Sequence, residues 1–138
     1  MDEKSQPKGT QVDPIGEAMY REVLKQPVFQ EGQPAALKGV REFTINHLFA
    51  RVWSRSSKDV AGQTISLRER RLITIALLAA QGRNDQLTEH VRGAARSGLE
   101  EAELLEVMIH VAHYAGWPAG ASGQRAVLDV FREERIES

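Results

Sequence analysis

The stretch that decides the fold is Thr88–Gly120, TEHVRGAARSGLEEAELLEVMIHVAHYAGWPAG. It contains three of the four histidines of the chain, His90, His110 and His113. Gly98 follows one run with helical apolar periodicity, and a second run begins shortly after it. This pattern is typical of two helices joined by a short connection. The sequence therefore predicts two neighbouring helices that bring His90 towards His110 and His113.

The composition excludes several classes of protein. A length of 138 residues is enough for one domain with a real core. The 18 basic and 19 acidic residues nearly balance, which argues against a general nucleic-acid binder. The chain has no cysteine, so disulfides, thiolate metal sites and thiol redox chemistry are excluded. Neither a membrane-spanning run nor a signal-peptide pattern is present, so we expect a cytoplasmic protein without membrane contact.

The N-terminal part of the chain predicts a tail followed by a single all-α domain. Residues 1–12 are polar and lack a period, which indicates a flexible tail, and residues 13–138 form the domain. Asp13 and Pro14 are typical of a helix start, and this helix is predicted to run to about Lys25. Its apolar stripe is predicted to consist of Ile15, Met19 and Val23.

Five more helices are predicted, giving about six in all. The third has the most distinctive start, since Ser66 and Glu69 match a capping box. The run over 72–80 that follows is apolar nearly all round, which places it inside a bundle or at a subunit interface. The other helices are predicted over residues 35–54, 85–96, 101–115 and 121–134, with loops over 26–33 and 54–64 and a break at Pro118.

One face of the fifth helix carries polar and aromatic side chains. Glu106, His110, His113 and Trp117 recur at helical spacing, apart from the apolar stripe of the same helix. Two histidines three residues apart, with Glu106, are a possible metal-ligand set. The alternative is that these histidines are hydrogen-bonded, half-buried residues where two helices pack.

Other residues are candidates for acid chemistry. His90 titrates near neutrality and suits proton transfer, and Gln86 lies one helical turn before it. Arg70 and Arg92 are candidates for binding a carboxylate, although surface ion pairing is the common alternative. Tyr114 is a candidate donor to a developing oxyanion, or a packing residue with its hydroxyl at the surface.

The run over residues 72–119 resembles the carboxymuconolactone decarboxylase family, and the similarity extends roughly over 43–126. The family pattern is an apolar helix, a G-R turn, then H-x-R-x-A-x-x-x-G and H-x-A-x-Y-x-G-x-P-A. Upstream, residues 50–55 and Arg70 also look like family positions. The matching residues here are Gly82, Arg83, His90, Arg92, Ala94, Gly98, His110, Ala112, Tyr114, Gly116, Pro118 and Ala119.

The resemblance implies an all-α helical bundle that assembles into homotrimers or homohexamers. It also implies a lyase of aromatic catabolism that removes CO2 from a small carboxylated lactone such as 4-carboxymuconolactone. The lactone ring itself accepts the electron pair, so neither a cofactor nor a metal is expected. The redox branch of the family uses a Cys-x-x-Cys motif. Here Arg83 and Gln86 stand at its two positions, so that activity is excluded.

The resemblance also assigns roles to residues. His90 is expected to deliver the proton, and His110 or Tyr114 to stabilise the oxyanion. Arg70 and Arg92 are expected to bind substrate carboxylates. The remaining expected substrate contacts are Gln86, Glu89, His113 and Trp117.

Several of these positions differ from the family pattern. The decarboxylases usually carry a glutamate at the place of Gln86, and the residues at Glu89, His113 and Trp117 also differ. These changes suggest a pocket adapted to another enolisable acid or lactone. Two other hypotheses stay open: a non-catalytic oligomeric bundle that binds a small acid or a partner protein, and a metal-dependent member that uses Glu106, His110 and His113.

Overall fold

The computed structural model describes residues 12–28, 35–56 and 64–138, and the regular structure in these ranges is entirely helical. The all-α prediction is therefore confirmed, as is the number of helices. The predicted tail, up to residue 11, and most of both predicted loops lie outside the described residues. The α-helices are α1 (Pro14–Leu24), α2 (Ala35–Phe43), α3 (Leu67–Ala80), α4 (Asn84–Ala95), α5 (Glu101–Ala115) and α6 (Trp117–Glu137).

The predicted helix over 35–54 is longer and less regular than expected. After α2 the chain continues without a break as a π-helical stretch, Thr44–Val52, and a 3₁₀ turn, Trp53–Ser56. We call these two pieces together the π/3₁₀ segment. Stretches of π-helix are rare and often occur at functional sites. Among the described residues, no helix is long and apolar enough to cross a membrane.

Helix α1 starts as predicted but buries a different face. The Asp13 side chain accepts a hydrogen bond from the backbone N–H of Ile15 at 2.9 Å. Ile15 itself is 62% exposed, so its predicted place in the apolar stripe is wrong. The helix approaches the π/3₁₀ segment through Gly16, where a Cβ would lie 2.1 Å from the Ile45 carbonyl oxygen. This close backbone contact turns the buried face towards Gly16, Tyr20, Val23 and Leu24.

Helix α3 confirms the predicted capping box and buries one face only. The Ser66 hydroxyl accepts from the Glu69 N–H, and the Glu69 carboxylate accepts from the Ser66 N–H. The buried residues recur every fourth position: Arg71, Ile75 and Ala79. On the outer face Ile73 and Leu77 are 46% and 55% exposed. The apolar residues that the sequence placed all round the helix therefore leave an uncovered surface on this subunit.

The C-terminal helices depart from the prediction in two places. Helix α5 packs chiefly on α6 and α3, whereas α4 packs on α6, α3 and α1. The predicted direct pairing of α4 with α5 is therefore wrong, because the 21-residue α6 packs against both of them. The predicted break at Pro118 is also wrong. The chain turns at Gly116, with φ 105°, and Pro118 occupies the first turn of α6, where no N–H is needed.

Two apolar clusters build the core. One lies between α3, α4, α5 and α6, and the other between α1 and the π/3₁₀ segment. Helix α4 meets α1 at Gly93, where a Cβ would lie 2.1 Å from the Val23 carbonyl oxygen. The absence of a side chain at Gly93 thus sets the distance between these helices.

We predict that Gly93→Ala destabilises the protein by about 3 kcal/mol, since the added methyl group must displace the α1 backbone. Gly39→Ala is the matched control, because Gly39 lies in α2 with open space around it. It should leave stability unchanged or raise it by up to about 1 kcal/mol. Urea unfolding followed by circular dichroism measures both, and equal midpoints for the two variants would contradict the packing argument.

Candidate active site

A pocket of about 460 Å³ opens between α1, α2, the π/3₁₀ segment, α3 and α4. Most of its wall is apolar or aromatic, which is the usual character of a small-molecule site. The apolar and aromatic lining residues are Tyr20, Leu24, Leu37, Val40, Leu48, Phe49, Trp53 and Leu78. The remaining lining residues are polar or charged: Arg41, Thr44, Thr74, Gln86, Glu89 and His90.

Four aromatic rings form a continuous ladder along this pocket. Tyr20 meets Phe49 edge-on with ring centroids 5.1 Å apart, and Phe49 stacks on Trp53 at 5.9 Å. Trp53 then stacks on the imidazole of His90 at 5.8 Å, with the ring planes only 17° apart. The ladder fixes the plane of the His90 ring and shields one of its faces from water.

His90 is held in its neutral form. Burial and, to a smaller extent, the positive charge of Arg71 together lower the pKa of His90 from 6.5 to about 4. At neutral pH the imidazole is therefore uncharged, with one nitrogen that accepts a proton and one that donates a hydrogen bond. An anionic ligand beside the ring would oppose both effects and raise this pKa again.

Arg71 is a buried cation whose charge reaches His90 although it does not line the pocket, and sequence analysis missed it. Arg71 is only 3% exposed. Its guanidinium donates hydrogen bonds to the backbone carbonyls of Val23 and Glu22, the latter at 2.7 Å. These carbonyls lie in the last turn of α1, where a helix favours a positive charge. The sequence contained a signal for the burial of Arg71, because Arg71 precedes the apolar residues Ile75 and Ala79 at a four-residue spacing.

Arg41 is the second cation that sequence analysis missed, and it lines the pocket directly. Its guanidinium donates to the Tyr20 hydroxyl and to the Val28 carbonyl, the latter at 3.3 Å. The guanidinium carbon lies 5.3 Å from the centroid of the Tyr20 ring, within the range of a cation–π interaction. Arg41 lies before the stretch that carries the sequence motifs, so no pattern singled it out.

Of the predicted site residues, Gln86, Glu89 and His90 are brought together in this pocket. The two predicted carboxylate-binding arginines lie outside its lining. Arg70 donates from Nε to the Ser56 hydroxyl at 2.9 Å and so links α3 to the π/3₁₀ segment. Arg92 pairs with a glutamate of α6 at 3.4 Å, which is the surface ion pair that sequence analysis gave as the alternative.

The predicted site residues of α5 and its junction with α6 form a separate exposed group. His110 stacks on Tyr114 with centroids 4.8 Å apart, and Tyr114 is 83% exposed. The Nδ1 of His113 lies 2.7 Å from a backbone carbonyl one turn earlier, and its ring meets the edge of Trp117. None of these side chains lines the pocket of His90. Their participation there would require a neighbouring subunit.

In the described part of the chain, no arrangement of side chains supports the metal hypothesis. Nowhere in residues 12–28, 35–56 and 64–138 do three His, Asp or Glu side chains lie close enough together to hold a metal ion. Glu106, His110 and His113 therefore do not form the ligand set that their spacing allowed.

The matches to known proteins cover the part of this pocket that includes His90. The model of the carboxymuconolactone decarboxylase family matches residues 47–129. The chain is 32% identical over 93 residues to 4-carboxymuconolactone decarboxylase of Acinetobacter baylyi, covering 67% of this chain and 64% of that protein. It is 34% identical over 68 residues to nitrosuccinic acid decarboxylase npaB of Metarhizium robertsii, covering 49% and 43%. The matches thus span less than two thirds of each relative.

We predict that the neutral, buried His90 lowers the free energy of unfolding as the pH falls from 6.5 to about 4. In this window the unfolded chain binds a proton at His90 while the folded protein does not, so stability falls as the pH falls. The free energy of unfolding should fall by roughly 3 kcal/mol across this pH range because of His90. Urea unfolding at a series of pH values measures it.

The His90→Gln variant should lose this part of the pH dependence. The matched control is His47→Gln, which changes an exposed histidine of the π/3₁₀ segment and should keep the full slope. Identical pH profiles for wild type and His90→Gln would show that the ring is not buried in its neutral form.

Proposed function

Because the chain belongs to the carboxymuconolactone decarboxylase family, we propose that it removes CO2 from a small carboxylated lactone or a related enolisable acid. Two relatives that are named as decarboxylases of different small acids support this class of reaction. The observation that carries the proposal is the neutral His90, stacked on Trp53 in a mostly apolar pocket within the matched region.

The reaction needs only groups that this pocket offers. The bond between the substrate carbon and its carboxylate breaks, and CO2 leaves. The electron pair moves through the conjugated double bond into the lactone carbonyl. A proton then adds to carbon, so each turnover consumes one proton. The substrate serves as its own electron acceptor, and the protein has to exclude water, orient the substrate and supply that proton.

We assign the supply of the proton to His90. The neutral ring accepts a proton when an anionic substrate enters, because the negative charge raises the pKa of the imidazole. After CO2 has left, the imidazolium returns this proton to the carbon. The stacked Trp53 holds the ring in one plane during both transfers and keeps water from that face.

Gln86 and Glu89 are proposed to set which acid is accepted. Both line the pocket on the same helix as His90, and Gln86 lies one turn before it. The neutral Gln86 amide can donate to a substrate oxygen, whereas Glu89 repels a carboxylate placed next to it. This pair therefore favours a substrate that turns an uncharged or electron-accepting group towards Gln86 and Glu89.

We predict that His90→Gln lowers kcat by 10²-fold or more, since general acid catalysis contributes about that much. The assay follows the ultraviolet absorption of 4-carboxymuconolactone together with CO2 release. His47→Gln is the matched control and should keep wild-type turnover. A folded His90→Gln variant with unchanged kcat would remove His90 from the mechanism.

The same experiment separates the enzyme from a non-catalytic binder of small acids, the alternative with an identical pocket. A wild-type protein that binds 4-carboxymuconolactone and nitrosuccinic acid but turns over neither would favour the binder. A role in aromatic catabolism remains a prediction from the family resemblance, and a cytoplasmic location remains a prediction from the sequence.

We also propose that the subunits assemble into a trimer or hexamer through the outer face of α3. The support is the exposure of Ile73 and Leu77, two large apolar residues one turn apart on that face. The double variant Ile73→Glu/Leu77→Glu should be monomeric in light scattering, whereas Ile136→Glu, at an exposed position of α6, should keep the wild-type mass. A wild-type monomer would contradict the proposal.

A further inference from the structure

The carboxylate of Glu89 lines the pocket without a partner. It makes neither a hydrogen bond nor an ion pair with any residue in the described part of the chain. Glu89 is partly buried, so water screens its charge less than at the surface. A carboxylate whose lone pairs are not engaged by donors can take a proton from a ligand. Glu89 is therefore available as a base in the wall of this pocket.

No cationic side chain of the described residues lines the pocket at the end where His90 lies. Among the described lining residues Arg41 is the one cation, and it sits over Tyr20 at the other end of the aromatic ladder. The end at His90 thus combines apolar walls, a neutral imidazole and the negative charge of Glu89. An anion placed there is repelled, whereas an uncharged ligand is not. This end of the pocket is therefore suited to an uncharged ligand as well.

The neutral imidazole of His90 supplies a hydrogen-bond donor beside this base. The lowered pKa of His90 leaves one ring nitrogen with its hydrogen and without a positive charge at neutral pH. Successive residues of a helix point about 100° apart, so Glu89 and His90 reach two different atoms of one ligand and not each other. A carboxylate base and a neutral histidine donor are together a known means of enolising a carbonyl compound. The juxtaposition of these two side chains in one pocket therefore points to proton transfer at carbon.

We propose a second activity for this pocket: the isomerisation of small uncharged β,γ-unsaturated ketones or lactones, with Glu89 as the base and His90 as the donor to the carbonyl oxygen. This activity goes beyond the proposed decarboxylation, because its substrate has no carboxylate to lose. It rests on the pocket and not on that function. Glu89 is one of the positions where the sequence departs from the pattern of the decarboxylases, so the activity belongs to this chain and not to that pattern.

The isomerisation moves one proton and one double bond. The Glu89 carboxylate removes a proton from the carbon between the carbonyl group and the double bond. The electron pair of that C–H bond forms a new C=C bond, and the carbonyl oxygen becomes an enolate oxygen that accepts a hydrogen bond from His90. Glu89 then returns the proton to the γ carbon, and the carbonyl group reforms with the double bond conjugated to it. Atoms and electrons balance, so the step needs neither an oxidant nor a co-reactant.

α-Angelica lactone tests this activity, because it is an uncharged β,γ-unsaturated lactone without a carboxylate. In D2O, proton NMR follows both the exchange of its α protons for deuterium and the appearance of the conjugated isomer. The wild-type protein should accelerate both processes above their rates in buffer. The Glu89→Gln variant should lower the protein-catalysed rate by about 10²-fold or more, which is the usual contribution of a positioned general base.

Glu106→Gln is the matched control, because Glu106 is exposed on α5 and lies outside this pocket, and it should keep the wild-type rate. His90→Gln should lower the rate less than Glu89→Gln does, because the new amide can still donate to the carbonyl oxygen. Thermal melts check that each variant folds. A folded Glu89→Gln variant that keeps the wild-type rate, or a wild type no faster than buffer, would overturn the proposal.

An assay with 4-carboxymuconolactone separates this activity from the decarboxylation. Isomerisation of α-angelica lactone that depends on Glu89, without release of CO2 from 4-carboxymuconolactone, would keep the second activity and remove 4-carboxymuconolactone as a substrate. Release of CO2 by a protein that does not isomerise α-angelica lactone would keep the decarboxylase and overturn the second activity.

Discussion

The contact on which this structure depends is the one between the Arg71 guanidinium and the last carbonyls of α1. It places a buried positive charge where the helix end offers unpaired acceptors, so the charge is compensated without a carboxylate. The contact ties α3 to α1, and α1 in turn carries Tyr20 into the pocket. The same charge is felt by His90 and favours its neutral ring. One side chain therefore contributes to packing and, after burial, to the lowered pKa of His90.

The second constraint is the irregular helix that follows α2. Its π-helical stretch and 3₁₀ turn place Phe49 and Trp53 in one stack that ends on His90. The same continuous segment begins with α2, which carries Arg41. One segment thus holds the cation at one end of the pocket and the ring that orients His90 at the other, so their separation is fixed by the backbone.

The sequence predicted much of the fold, because caps and periodicity act locally. Asp13, the Ser66 capping box and the bounds of α5 were all confirmed. The packing partners of the helices were harder to predict, since the sequence does not show that α6 packs against both α4 and α5. Within the site, motif spacing identified His90 and its neighbours but selected Arg70 over Arg71. The period of the buried residues places Arg71 on the buried face of α3, whereas the exposure of the α5 face depends on tertiary packing that periodicity does not show.

In the proposed decarboxylation, the apolar wall beside His90 gives a physical basis for the loss of a carboxylate there. A substrate carboxylate against Trp53 would be surrounded by apolar surface and would be relieved of that penalty when it leaves as uncharged CO2. The proposed proton donor, His90, lies at the same place, where the carbanion would form. Residues of the matched region build the His90 end of the pocket and upstream residues build the other end, so under the proposed function substrate choice can vary along the N-terminal helices while the His90 end is kept.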